Sequence, residues 1–367
     1  MTLRTDGREH RSRRFAKAID PTQLGLTLTG HDLTAWTHEA GDWVARARYN
    51  VCDDLDAHDE DLLASRTVET PVGATTGAFG QLGLRDVRLV SHADGSPLRD
   101  GRALWLSATS AGPGHFDSGH TSIWRLDPAT CELDHSADLW FRRPDRPGVF
   151  GDHATHVVRD DERWLVATST WGDFRLPTTR AGRRTRSTLR TTLATTQVDL
   201  LRGTHVLDTV ELPLPTDGLG SIAIWDPHLV RHDYRWHVGF VSARRFFDFH
   251  PALAVGESLD SLALAGAAPE RTATEGTTLV PLPDGRLVVA ASDGRDNRRP
   301  FRERYPVWDA SMTAVGHLRA PYPTNIPWPT VVPDGDGWLL IAFNGRPTGG
   351  PLLPYGTHGD LVVMRSA

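Results

Sequence analysis

The stretch Ser221–Ala243, SIAIWDPHLVRHDYRWHVGFVSA, has an Asp-Pro at the entrance of a short apolar run, then a polar turn, then a second run opening on an aromatic residue. Short apolar runs bounded by Gly, Pro, Asp and Asn, with Trp and Val inside, are strand patterns, and the turn makes the two runs a hairpin. The same unit recurs from Gly83 (GLRDVRLVSHADG, then ALWLSATSAG), from Gly151 (GDHATHVVRDDERWLVATSTW), from Thr274 (TEGTTLVPLPDGRLVVAASDG) and from Ile326 (IPWPTVVPDGDGWLLIAFNG). Each copy carries a double hydrophobe: Leu89-Val90, Val157-Val158, Leu229-Val230, Leu279-Val280 and Val331-Val332. Copies roughly 50–75 residues apart match the period of radial β-repeats.

An isolated blade cannot bury both faces of its sheet, so repeats of this kind predict one closed array. The expected fold is all-β: a five-bladed β-propeller of four-stranded antiparallel blades around a central channel. It occupies residues 21–367 as a single domain, after an N-terminal tail over 1–20. The ring must close, and the strand-like runs within 24–50 are the expected N-terminal partner for the last blade. The 25 prolines and 34 glycines fit a turn-dense β chain.

Composition narrows the function. The formal net charge is −6 and Lys is almost absent, which gives no electrostatic reason to expect nucleic acid. Cys52 and Cys131 are the only cysteines, so no disulfide framework is implied and a reduced, cytoplasmic chain is expected. The basic, polar opening lacks a secretory apolar core, and no run approaches the length of a membrane span. The acidic stretch Cys52–Leu62 lacks the glycine and terminal Glu of an EF-hand and reads as a solvated loop. An Arg- and Thr-rich insertion over Trp171–Thr196 reads as a solvated loop, with an Arg-lined mouth as the alternative.

In a propeller the innermost strand of each blade opens at one mouth of the channel. Aligning the copies on their double hydrophobes predicts a ring of neighbours there: Arg85-Asp86, Asp152-His153 with His156, Trp225-Asp226 with His228, Glu275-Gly276, and Trp328. Carboxylates from several blades meeting in one funnel suit glycoside cleavage. That reaction needs one carboxyl kept protonated and one carboxylate opposite it, and clustered like charges raise one pKa. Blades facing each other across a ring suit the gap of about 6.5–9.5 Å that goes with inversion. Trp225 and Trp328 offer apolar faces to a sugar, as Trp171 does, although wedging between blades is the commoner role of such residues. Arg85, His153 and His228 complete the expected substrate-binding set.

Asp-Pro in one blade and Glu-Gly in the next resemble the signatures of the five-bladed propeller glycosidases, glycoside hydrolase families 43 and 32 among them. By that resemblance Asp226 in WDPHL corresponds to the residue that tunes the acid, and Glu275 in TEGTTL to the proton donor. Asp86 in LRDVRL corresponds to the base or a second stabiliser, with Asp152 competing for the role of base. The resemblance implies a small-molecule or oligosaccharide substrate and no required cofactor.

Two departures are visible. Glu275-Gly276 is followed by Thr277 where the pattern has Pro, and Asp86 by Val87. The histidines support a second reading: His156, with His153 and His228, as ligands of a divalent cation, calcium or another, in the central channel. A non-hydrolytic enzyme of specialised metabolism using these histidines, or a catalytically inactive carbohydrate-binding propeller, are the alternative functions. Arg244, Arg245, Arg295, Arg298 and Arg304 suggest an anionic sugar.

Overall fold

The computed structural model describes residues 2–5, 8–11, 15, 17–18, 20–67, 69–77, 82–174, 188–246, 248–346, 352–353 and 359–366. The expected propeller is present. Blade I runs through strands Gly83–Leu89, Ala103–Ala111, His120–Leu126, Leu133–Arg143 and Arg146–Phe150. Blade II contains His153–Asp160, Arg163–Ser169, Thr191–Thr196 and Val210–Glu211. Blade III is Ala223–His232, Arg235–Arg245, Asp248–Gly256 and Ala263–Ala267; blade IV is Thr274–Pro281, Leu287–Asp293, Tyr305–Asp309 and Ala314–Leu318. Blade V is Thr330–Asp334, Gly337–Asn344 and Asp360–Arg365. Blades III and IV have four antiparallel strands in sequence order, and blade II has four antiparallel strands plus Ser91–His92, which pairs in parallel with its innermost strand. The blade I sheet has seven strands, since Arg99–Asp100 and, in parallel, Gly203–Asp208 also join it, and blade V has three, so the four-stranded pattern holds for the middle of the ring and not for every blade. Among the described residues no helix is long and apolar enough to cross a membrane.

The signals that predicted hairpins act as expected. In blade III, Asp233 and Tyr234 take φ values of 48° and 61° between the paired His232 and Arg235, the left-handed two-residue loop that matches strand twist. The double hydrophobes are buried between blades: Val90 and Val157 in one cluster, Leu229 with Val158 in the next, Val230 with Leu279 in a third.

Closure of the ring differs from expectation. Residues 23–50 form a three-stranded antiparallel sheet of their own, Gln23–Thr29, Asp32–Glu39 and Asp42–Asn50, and do not complete blade V. Each of these strands finds its partner a few residues away, so the short loops cost far less entropy than pairing with the far end of the chain. The ring closes by packing of the first strand of blade I against all three strands of blade V. Two bonds join them: Leu84 N–H to Gly359 C=O at 2.7 Å, and Thr330 Oγ1 to Val87 C=O at 2.6 Å. The described part of the expected tail contains a short hairpin, Thr2–Thr5 with Arg8–Arg11.

Candidate active site

One device, repeated in every blade, builds the site. The innermost strand of blade I pairs Arg85 with Thr109 and Arg88 with Ser107, so Asp86 and Val87 oppose a single residue. The same bulge lies between His153 and His156, between Trp225 and His228, and between Glu275 and Thr278. Blade V repeats it: Pro327 C=O accepts from Phe343 N–H at 3.1 Å, and Thr330 pairs with Ile341. The first bulged residue is left-handed each time: Asp86 at φ 54°, Ala154 at 61°, Asp226 at 57°, Gly276 at 71° and Trp328 at 48°. Asp tolerates this region better than most residues. Gly276 is required twice over, since a Cβ there would also run into the Trp328 ring.

In a regular strand neighbouring side chains point to opposite faces; a bulge breaks that alternation and re-aims a side chain. Consecutive residues therefore reach one pocket: Arg85 and Asp86, His153 and Ala154, Trp225 and Asp226. With Glu275 and Trp328 they line a cavity of about 290 Å³. Two residues past the bulge, Arg88, His156, His228, Thr278 and Thr330 are buried farther along the inner strands.

Three carboxyls of the inner strands share the pocket, and the exposed Asp296 also lines it. Asp86 Oδ2 accepts from Thr109 Oγ1 at 2.7 Å and lies 3.5 Å from Arg85 Nε. Asp226 Oδ2 accepts a long bond from Gly276 N–H at 3.4 Å. Glu275 Oε2 accepts from Trp225 Nε1 at 3.2 Å. Burial pushes the Glu275 carboxyl up to about 8, with the Asp86 charge adding to it and the indoles of Trp225 and Trp328 opposing. Burial, then Glu275 and Asp86, hold Asp226 well above the usual carboxylate range, against Arg88. Burial raises Asp86 too, but Arg85, the Thr109 hydroxyl and Arg88 all work against it. The environments thus separate the roles: Asp86 has the cations and the hydroxyl donor, while Glu275 has a hydrophobic, like-charged setting.

Asp152 is placed elsewhere. Its buried carboxylate is clamped by Arg143, with Nε to Oδ2 at 2.8 Å and a second bond from Nη2 to Oδ1, and it accepts from Gly172 N–H at 3.0 Å. It lies two residues before the left-handed Ala154, whereas Asp86 and Asp226 occupy the left-handed position itself. The structure therefore gives Asp152 an ion pair that ties blade II to blade I and does not bring it to the pocket.

The histidines divide in the same way. His153 lines the pocket; its Nδ1 is 2.9 Å from Gly151 C=O, and its Nε2 is buried without a partner among the described residues. Burial, helped by Arg85, holds it neutral, so Nδ1–H donates and Nε2 keeps its lone pair. His156 and His228, expected as metal ligand and substrate contact, do not line the pocket. They stack deeper, with ring centroids 4.0 Å apart. His156 Nδ1 accepts from Leu229 N–H at 3.0 Å and its Nε2 is 3.2 Å from Ser91 Oγ, while His228 Nδ1 accepts from Leu279 N–H at 3.3 Å.

With Nδ1 of both rings and Nε2 of His156 so engaged, these histidines do not fit a channel cation. Among the described residues no three His, Cys, Asp or Glu side chains are grouped to hold one. The channel instead contains the Arg88 guanidinium, which donates to Thr277 C=O at 3.1 Å and Asp226 C=O at 3.1 Å and lies 4.6 Å from the centre of the Trp328 ring. Alignment on the double hydrophobes already marks Arg88 as the blade I equivalent of His156 and His228.

Aromatic rings make the rest of the wall. Trp171 stacks on Phe116 at 4.6 Å and meets Trp225 edge-on at 5.6 Å; Phe249 lies 5.4 Å from Trp225. Phe116, in the loop after the second strand of blade I, carries no signal in the sequence beyond its hydrophobicity. Of the arginines expected to read an anion, Arg295 lines the pocket, whereas Arg244 and Arg245 are paired with Asp248. Residues 175–187, the core of the Arg-rich insertion, and Phe247 lie outside the described residues.

No family model matches the chain, and no curated protein matches it significantly. Solved structures do. A family 117 glycoside hydrolase of the marine bacterium Zobellia galactanivorans aligns over 77% of this chain and 83% of its own, at TM-score 0.51 and 13% identity. A second protein, solved as an RGII complex, aligns over 78% of this chain and 91% of its own, at TM-score 0.51 and 9% identity. A thermostable family-43 glycoside hydrolase aligns over 77% and 89%, at TM-score 0.49 and 14% identity. What is shared is the fold. This propeller has the architecture of five-bladed glycoside hydrolases, and its own chemistry rests on the residues described above.

Proposed function

We propose that the propeller is a glycoside hydrolase with Glu275 as general acid, Asp86 as general base and Asp226 as the neighbouring carboxyl that tunes the acid. The observation that carries this reading is the convergence, from three blades, of carboxyls in unlike surroundings: Glu275 is pushed up to about 8, while Arg85, the Thr109 hydroxyl and Arg88 work against the effect of burial on Asp86. Glu275 gives its proton to the glycosidic oxygen as the bond to the anomeric carbon breaks. A water attacks that carbon from the opposite side and passes its proton to Asp86, so the reaction ends with Glu275 ionised and Asp86 protonated. Loss of a proton from Asp86 and its return to Glu275 through solvent reset the site. His153 Nε2 and Arg85 are placed to accept from and donate to sugar hydroxyls.

Asp226 and Glu275 lie on adjacent blades III and IV, joined by the Gly276–Asp226 bond, whereas blade I, which carries Asp86, borders neither. That separation supports inversion. A panel of aryl glycosides and disaccharides followed by proton NMR tests it: the first anomer formed is expected to have the configuration opposite to the substrate's. A retained first anomer would remove the water-activating role of Asp86, and a panel left wholly uncut would count against hydrolysis.

A further inference from the structure

The pocket carries an extended aromatic wall, and the proposed proton donor is bonded to its inner end. Trp225, whose indole N–H is committed to Glu275, is the inner end of a continuous aromatic wall. From it the wall runs to Phe249 at 5.4 Å and to Trp171 at 5.6 Å, then from Trp171 to Phe116 at 4.6 Å and from Phe116 to Phe246 at 6.4 Å. All five rings line the cavity. Three are phenylalanines with no hydrogen-bonding group. The polar lining is Arg85, Asp86, Asp226 and the Nε2 of His153, with Arg295, Asp296 and Asn325.

In an acid-catalysed glycoside cleavage, the group that receives the proton is the leaving oxygen, so the leaving group sits beside the acid. A sugar leaving group brings several hydroxyls, each of which costs free energy if buried without a partner. The five rings of the wall offer flat apolar surface, and the indole N–H of the innermost is already given to Glu275. We infer that the substrate is a small glycoside whose aglycone is aromatic or otherwise apolar, stacked on the Trp225–Phe246 wall, and that the leaving group is not a second sugar. This rests on the glycosidase reading for the identity of the leaving side, while the preference of the wall for an apolar group does not.

The test pairs ligands with a common glycone: 4-nitrophenyl glycosides, pyranosides and furanosides, against disaccharides carrying the same non-reducing sugar. Binding is read on the wild-type protein by titration calorimetry and turnover by product release. The aryl member of a pair is expected to bind at least about tenfold more tightly, a ratio one apolar group commonly supplies. Phe246→Ser, at the partly exposed end of the wall, is expected to erase most of that ratio. Disaccharides bound or cut as well as their aryl partners would overturn the inference and leave the glycosidase reading standing. Aryl glycosides bound preferentially, lost in Phe246→Ser, yet never cut would support the wall as an aglycone site and sink the hydrolase.

Discussion

Glu275→Gln is expected to lower kcat on the best substrate by a factor on the order of 10²–10⁴, the usual worth of a positioned acid, with KM little changed. Glutamine keeps the bond from Trp225 Nε1 and the shape of the side chain but has no proton to give. The variant should lose least on a 4-nitrophenyl substrate, whose leaving group needs little protonation. Its stability should also depend on pH differently from that of the wild type. The Glu275 carboxyl titrates at about 8 in the folded protein, above its ordinary value of 4.5. The folded state therefore binds the proton more tightly than the unfolded chain, and stability present below about 4.5 is lost as pH rises through 8. Glutamine removes that loss. Thermal unfolding at pH 5 and pH 9 is expected to show the variant gaining on wild type at the higher pH; a constant difference would contradict a protonated Glu275.

The opposite pattern is expected at Asp152. Asp152→Ala leaves Arg143 buried with Asp173 as its remaining carboxylate, 2.8 Å away, and should cost about 3–5 kcal/mol of stability, as breaking a buried pair does. Arg143→Met added to Asp152→Ala should recover part of the loss by removing the stranded charge. Protein that remains folded should turn over substrate nearly as wild type does, because Asp152 does not line the pocket. An Asp152→Ala protein with unchanged melting temperature and no activity would transfer the base from Asp86 to Asp152.

These two residues also show how far the sequence can be read. The blades are legible because each repeat carries its own buried double hydrophobe and turn, both local signals. Asp86, Asp226 and Glu275 are legible because aligning the copies on the double hydrophobe puts them at or beside one register position, three residues earlier, where the structure has the left-handed Asp86, Ala154, Asp226, Gly276 and Trp328. By that count the blade II equivalent is Ala154; Asp152 stands two residues too early, and only its acidity recommends it. The bulge has no residue signature, since Asp, Ala, Gly and Trp all fill it. Without it, neither the shared pocket face of Trp225 and Asp226 nor the deeper positions of His156 and His228 can be foreseen. Arg143, the partner of Asp152, comes from the outer part of blade I and is a contact of tertiary packing. The separate 23–50 sheet is not legible because strand character does not say whether a run pairs with its neighbour or with the far end of the chain.

Infrared difference spectroscopy of the carboxyl C=O stretch, recorded on wild type and on Glu275→Gln between about pH 6 and pH 10, tests the protonated acid most directly. A protonated-carboxylic-acid band that persists at neutral pH, titrates away with a midpoint near 8 and is missing in Glu275→Gln is the predicted result. A wild-type spectrum with every carboxyl already ionised at neutral pH, or a neutral-pH band untouched by Glu275→Gln, would contradict it.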